Sequence, residues 1–193
     1  MKNTRSNIME ATKKMIIEKG YHAMTTKDIA KAAQVNETTL FRQFGSKKDL
    51  LLATLKEAEW VPNTDNQLVK QFKWELKGDL QLIMENYFQQ VPPEIVRFSL
   101  GLRAQEIYQE TLPYIQKIPA AFTNLIEEYL TEMVSRQKIQ VANPKKAAEV
   151  LFSNLIGFAF LHAYSDDQYF EEESKLFISQ AVEMFSEGLS NEE

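Results

Sequence analysis

The sequence predicts an all-α protein, a short three-helix head joined to a larger helical body, on three observations. Strand signals are nearly absent: no stretch alternates, no Asn-Gly or Asp-Gly hairpin occurs, and glycine is limited to 6 of 193 residues. Apolar residues instead recur at helical spacing along the whole chain. Capping residues cut the N-terminal quarter into short segments, whereas proline spaces the later segments more widely. A hydrophobic content of 44% is enough to bury a core over this length, which argues against a disordered chain.

In the head, Ile8, Ala11, Met15, Ile16 and Ile17 mark the buried face of a first helix, which Gly20 is placed to end because glycine accepts backbone conformations closed to other residues. Tyr21 to Met24 connect it to a second helix. Thr25 followed by Asp28 reads as a capping box, and Asn36 and Ser46, the latter with Asp49, as the caps of a third and a fourth helix. Caps so closely spaced imply short helices. Ala30, Ala33 and Val35 on one side, with Leu40, Phe41 and Phe44 on the other, supply the small and large side chains that let helices two and three cross closely.

Beyond Trp60 the polar run Pro62-Asn63-Thr64-Asp65-Asn66 reads as a loop. Leu80, Ile83, Met84, Tyr87, Phe88 and Val91 lie on one face of a helix that Pro92 and Pro93 stop, and the next helix carries Phe98, Leu102 and Ile107. Pro113 and Pro119 mark a broken region, since proline suits a first helical turn but removes an internal hydrogen bond. A longer helix follows from Ala120 to near Lys138. Asn143 and Pro144 open a helix that reads apolar nearly all round, with Leu151, Phe152, Leu155, Ile156, Phe158, Phe160 and Tyr164, and such a helix must be covered on both sides. The last helix, from near Glu172 to Leu189, keeps Ile178, Ala181, Val182, Phe185 and Leu189 on one stripe.

The net charge of −5 hides a division: residues 1–56 carry 11 Lys and Arg against 5 Asp and Glu, and residues 57–193 carry 11 against 22. A basic head on an acidic body fits a protein that meets phosphate at one end only. The absence of cysteine excludes disulfides and thiolate metal sites, and His22 and His162 alone argue against an imidazole-rich metal centre. No metal site and no cofactor are expected. Met1 is followed by a polar segment, unlike a signal peptide, and the longest apolar run, Val150 to Leu161, is broken by Ser153 and Asn154 and falls short of the roughly 20 residues that span a bilayer.

The run from Thr25 to Leu50 joins a threonine-capped helix, a small-residue turn, the Phe41-Arg42-Gln43-Phe44 segment and Ser46-Lys47 in order. It resembles the helix-turn-helix of the TetR family of bacterial transcriptional repressors, and the resemblance is specific over residues 5–55. It implies a helix-turn-helix DNA-binding domain over residues 1–46 and a ligand-binding and dimerisation domain over residues 47–193. The implied protein is a cytoplasmic homodimer, paired through its last two helices, that binds a palindromic double-stranded operator and is released by a small, largely apolar or aromatic ligand. A DNA-bound adaptor that binds a protein partner and senses no ligand is the alternative. Two positions depart from the family pattern: Phe41 stands where tyrosine is usual, and Thr38 where glycine or alanine is frequent.

An α-helix fits the major groove of B-DNA, and here the candidate is Asn36 to Phe44. Leu40 and Phe44 face inward, leaving Glu37, Thr38, Thr39, Arg42 and Gln43 to address bases or phosphates: the threonines through hydroxyl and methyl, Gln43 toward adenine, Arg42 toward guanine or phosphate. Phe41 lacks the hydroxyl with which tyrosine would bond a phosphate. Thr25, Thr26 and Lys27 at the start of helix two, and Lys47 and Lys48 at the start of helix four, are the phosphate contacts expected where backbone N–H groups are free.

In the body, Tyr87, Phe88, Phe98, Tyr108, Phe122, Tyr129, Phe158 and His162 lie on several helices, and the resemblance implies a pocket among them. No Gly-rich phosphate loop, paired histidines or nucleophile elbow is present, and acidic pairs such as Glu127-Glu128 and Asp166-Asp167 read as surface charge, so no enzymatic activity is expected.

Overall fold

The computed structural model describes residues 4–57 and 66–189. Trp60 and the segment from Pro62 to Asp65 lie outside the described residues. Among the described residues every regular element is a helix: α1 (Thr4–Ala23), α2 (Thr26–Ala32), α3 (Glu37–Phe44), α4 (Lys47–Glu57), α5 (Asn66–Val69), α6 (Leu76–Gln90), α7 (Pro93–Gly101), α8 (Tyr108–Ile115), α9 (Lys117–Ser135), α10 (Pro144–Leu161) and α11 (Asp167–Leu189). They form two compact units, one from residues 1–60 and 97–117, the other from residues 61–96 and 118–193.

In the first unit α1 packs on α2 and α4, α3 on α2 and α4, and α4 on α8. Its core joins Ile8, Ile16, Met24, Ile29, Leu40, Leu50, Leu51 and Leu55 to three residues from much later in the chain, Phe98, Leu102 and Ile107. Full burial of each such side chain is worth about 1.5–3 kcal/mol, so these late residues are a substantial part of what holds the head together. Gly20 departs from helical geometry with φ 71 and ψ 167, which only glycine adopts easily, and the chain then makes one further turn to Ala23. Gly101 ends α7 against α1 so closely that a Cβ would lie 2.6 Å from Ile16 Cγ2 and 2.9 Å from the Ile16 carbonyl oxygen.

Three expectations are corrected here. Phe41 does not enter the crossing of α2 and α3; it is 45% exposed, while Leu40 and Phe44 are buried. Leu102 and Ile107 lie beyond the end of α7, because the chain turns after Gly101 and Ile107 caps α8. Pro113 sits inside α8, which remains a helix of 8 residues.

In the second unit α6 packs on α10 and α11. Leu80, Ile83, Met84, Tyr87 and Phe88 of α6 are buried, as are Phe122, Ile126, Tyr129 and Leu130 of α9, Leu151, Phe152, Leu155 and Phe158 of α10, and Phe170, Ile178, Ala181 and Val182 of α11. Asn143 caps α10 by accepting from the Lys146 N–H at 3.0 Å. That helix is not apolar all round, since Ser153 and Asn154 face solvent and bond back to the carbonyls of Glu149 and Val150. Tyr164 lies past its end. The last helix begins at Asp167, earlier than its apolar stripe indicates.

Asp79 is a buried carboxylate with three donors around it: the Lys73 N–H at 2.9 Å, the Glu75 N–H at 3.1 Å and the Tyr129 hydroxyl at 3.2 Å. It ties the start of α6 to α9 beside the ring cluster of Phe72, Trp74 and Tyr129. Burial, and then the Asp79 charge, push the Tyr129 phenol far above its usual range. Asp79→Asn should lower the unfolding free energy by about 1–3 kcal/mol, because however the amide turns its nitrogen faces a donor and leaves one buried N–H or O–H unpaired. Urea denaturation of the two proteins measures the difference, and an unchanged midpoint would remove this role.

Candidate nucleic-acid interface and aromatic core

Local hydrogen bonds fix the starts of α2, α3 and α4. The Asp28 N–H donates to Thr25 Oγ1 at 3.1 Å while Asp28 Oδ2 accepts from the Thr25 N–H at 3.4 Å, a reciprocal cap on α2. Lys19 reaches the same carboxylate at 3.1 Å and, with Thr25, holds the Asp28 carboxyl below its usual range. Asn36 caps α3 by accepting from the Thr39 N–H at 2.8 Å and from the Thr39 hydroxyl at 2.9 Å, so the hydroxyl proton of Thr39 is already engaged. Ser46 accepts from the Asp49 N–H at 3.0 Å and donates to its carboxylate at 2.6 Å at the start of α4.

The outward face of α3 carries Thr38, Phe41 and Arg42, all exposed, opposite the buried Leu40 and Phe44. Glu37, at the first position of α3, is half-buried and accepts a hydrogen bond from the hydroxyl of Thr26, so that hydroxyl is already engaged. Gln43 Oε1 is turned inward and buried with no partner among the described residues. Bidentate reading of adenine needs that oxygen outside, so in this conformation Gln43 offers at most its amide as a donor. Lys27 is exposed near the start of α2.

The two lysines opening α4 have unequal roles. Lys47 Nζ donates to the carbonyls of Tyr21 at 3.0 Å and Met24 at 3.1 Å and lies 4.3 Å from the centroid of the Tyr21 ring. It therefore ties down the turn after Gly20, and one of its three N–H donors remains for another partner. Lys48 is engaged by the carboxylate of Glu110 on α8, which raises the lysine and lowers the glutamate from their usual ranges. A second carboxylate from the same part of the chain, Glu106, meets His22 Nδ1 at 3.1 Å. Neither Glu106 nor Glu110 carries any signal in the sequence that would assign it to the head.

Of the eight aromatic and imidazole candidates, five form one connected group in the second unit. Tyr87 packs edge-on to Phe122 at 5.0 Å and to Phe88 at 5.2 Å, Phe88 to Phe158 at 5.2 Å, and His162 lies over Phe158 at 4.3 Å. Phe152, Phe170 and Phe177 extend this group and are not among the eight candidates. Tyr129 belongs instead to the Phe72 and Trp74 cluster, while Phe98 and Tyr108 belong to the first unit. Tyr87 is 1% exposed, and burial raises its phenol far above the usual range.

A different face of the second unit is apolar and open. Val150 (56% exposed) and Leu161 (84%) on α10, Tyr164 (79%) just after it, and Tyr169 (46%), Leu176 (63%) and Met184 (72%) on α11 stand in solvent. On α10 the positions 150, 154, 157 and 161 follow steps of four and three, the spacing of a helix seam. Among the described residues no helix is long and apolar enough to cross a membrane, and no cluster of three or more His, Cys, Asp or Glu could hold a metal ion.

Residues 8–54 match the sequence model of the bacterial regulatory proteins of the tetR family. The chain is 25% identical over 190 residues to the uncharacterized HTH-type transcriptional regulator YvkB of Bacillus subtilis, covering 98% of this chain and 99% of that protein. Its fold is similar to the crystal structure of a putative TetR-family transcriptional regulator from Mesorhizobium loti, with a TM-score of 0.72, 18% identity and 97% of each chain covered. It is also similar to the transcriptional regulator FadR of Bacillus subtilis in complex with stearoyl-CoA, with a TM-score of 0.68, 21% identity, 92% of this chain and 97% of that chain.

Proposed function

Since this chain belongs to the tetR family of bacterial regulatory proteins and is a transcriptional regulator with an N-terminal helix-turn-helix, we propose that it is a homodimeric repressor, released from its operator by a small, largely apolar ligand. The observation that carries the DNA-binding part is the two-sided α3: Leu40 and Phe44 are sealed in the core while Thr38, Phe41 and Arg42 stand out together on a short, doubly capped support. A helix so presented fits the major groove, with Lys27 and the remaining donor of Lys47 on the phosphates. The open seam on α10 and α11 is what pairs the two copies, and a two-fold dimer calls for a palindromic site.

The ligand is assigned to the ring group around Tyr87, Phe88, Phe122, Phe158 and His162, and the complex of the similarly folded FadR with stearoyl-CoA supports a ligand with a long apolar chain. The Tyr87 hydroxyl and the His162 ring are the polar groups that this set of rings offers such an occupant. To act as an inducer the ligand must bind the DNA-incompetent conformation more tightly, a coupling of about 1–3 kcal/mol, or roughly 5–150-fold in operator affinity. In vitro selection of DNA by the purified protein, followed by thermal-shift and DNA-release assays with apolar compounds, tests the whole reading. Enrichment of a palindrome released by a stabilising compound is the expected result; a selected palindrome that no stabilising compound releases would leave a regulator without a ligand.

Glu110 gives a separate handle. Glu110→Gln should raise affinity for operator and random DNA alike by several-fold, because the Lys48 ammonium is freed for phosphate, while thermal stability changes little, as is usual for an exposed ion pair. Fluorescence anisotropy at two salt concentrations measures it. Unchanged affinity with a steeply lower unfolding temperature would make the pair a structural tie alone.

A further inference from the structure

Among the groups on the outward and flanking faces of α3, Glu37 alone carries negative charge. An ionised carboxylate only accepts hydrogen bonds, so contact with a phosphate is closed to it. It is also held in place: the Thr26 hydroxyl donates to Oε1, and Oε2 has no partner among the described residues. Glu37 stands at the first position of α3, one turn before the exposed Phe41, and the N-terminal residues of such a helix are those that meet base edges.

In the major groove only two bases present a hydrogen-bond donor, the N4 amino group of cytosine and the N6 amino group of adenine. The adenine amino group lies beside the lone pair of N7, which repels a carboxylate, whereas cytosine has no acceptor next to N4 on its own edge. We infer that Glu37 reads a cytosine in each half-site through Oε2, and that Thr26 is a positioning residue which fixes the carboxylate by occupying Oε1. This rests on the DNA-reading role proposed above and adds a base identity to it. It also gives the Thr26 hydroxyl a use other than phosphate contact.

The test is selection from a randomised DNA library by the full-length protein and by Glu37→Ala, Glu37→Gln, Thr26→Val and Thr26→Ser, with base preference read at every position. The unaltered protein should prefer cytosine at one position per half-site by roughly tenfold or more, the scale of one good side-chain contact to a base. Glu37→Ala should lose the preference there alone, with affinity for random DNA rising as a charge that repels phosphate is removed. Glu37→Gln, carrying both donor and acceptor, should shift that position toward adenine. Thr26→Val should weaken the same preference and Thr26→Ser restore it, a pattern that a merely structural threonine would not give. Retention of every preference in both Glu37 variants overturns the inference and leaves the DNA reading intact. Failure of the unaltered protein to enrich any sequence overturns the DNA reading and the inference together.

Discussion

Leu176→Glu is expected to convert the protein from a dimer to a monomer and to lower operator affinity by roughly 10²–10⁴-fold, the scale on which a second linked binding event adds to the first. Leu176 is 63% exposed on α11, as Met184 is at 72%, so the isolated chain loses little when it is replaced. In a two-fold dimer the same substitution places two carboxylates in one apolar seam. Each buried leucine is worth about 1.5–3 kcal/mol to the pairing, and an unpaired buried charge adds a larger penalty. Light scattering gives the mass, anisotropy gives the affinity, and circular dichroism should show the helix content unchanged. A variant that remains dimeric with full operator affinity would place the partner surface elsewhere.

Gly101→Ala should destabilise the first unit by about 1–3 kcal/mol, the range for forcing atoms into a filled core. The added methyl would sit 2.6 Å from Ile16 Cγ2, which can turn away, and 2.9 Å from the Ile16 carbonyl oxygen, which is backbone and cannot. Ile16→Ala in the same chain should therefore relieve only part of the strain, while costing its own burial. Because α1 carries the support for α2 and α4, DNA affinity should fall with stability rather than independently of it. Chemical denaturation of the single and double variants separates the contributions. Equal stability of Gly101→Ala and the unaltered chain would mean that α1 and α7 part at no cost.

The features legible in the sequence are those that close within a few residues. Thr25 with Asp28, Asn36 with Thr39 and Ser46 with Asp49 each act across three positions, so their caps could be placed by type and spacing alone. The inward setting of Leu40 and Phe44 followed from helical period in the same way. Phe41 was harder, because an aromatic residue beside Leu40 satisfies a core pattern as well as an exposed one, and only the packing of α2 decides between them. The engagement of Lys48 by Glu110 spans 62 residues, and nothing local marks it. The aromatic candidates shared one signal, bulk at helical spacing, which cannot distinguish Tyr87 and Phe122, edge to face, from Tyr129 beside Trp74 or Phe98 in the other unit. The first turns of α11 were missed because Gln168, Glu171, Glu172 and Glu173 leave Phe170 as their one buried apolar anchor.

Phe98, Leu102 and Ile107 share a core with residues 8–55, and this matters on the ribosome. The segment that carries α1 to α4 leaves the exit tunnel first, yet the side chains that close its interior are still to be translated. Until residues 97–117 emerge, the nascent head exposes the apolar surface they cover, a natural target for a chaperone. The same holds for protein engineering: a chimera that transplants residues 1–57 onto a foreign body would carry the recognition helix but an open core, and grafting the returning segment along with it is the way to move the DNA-reading part intact.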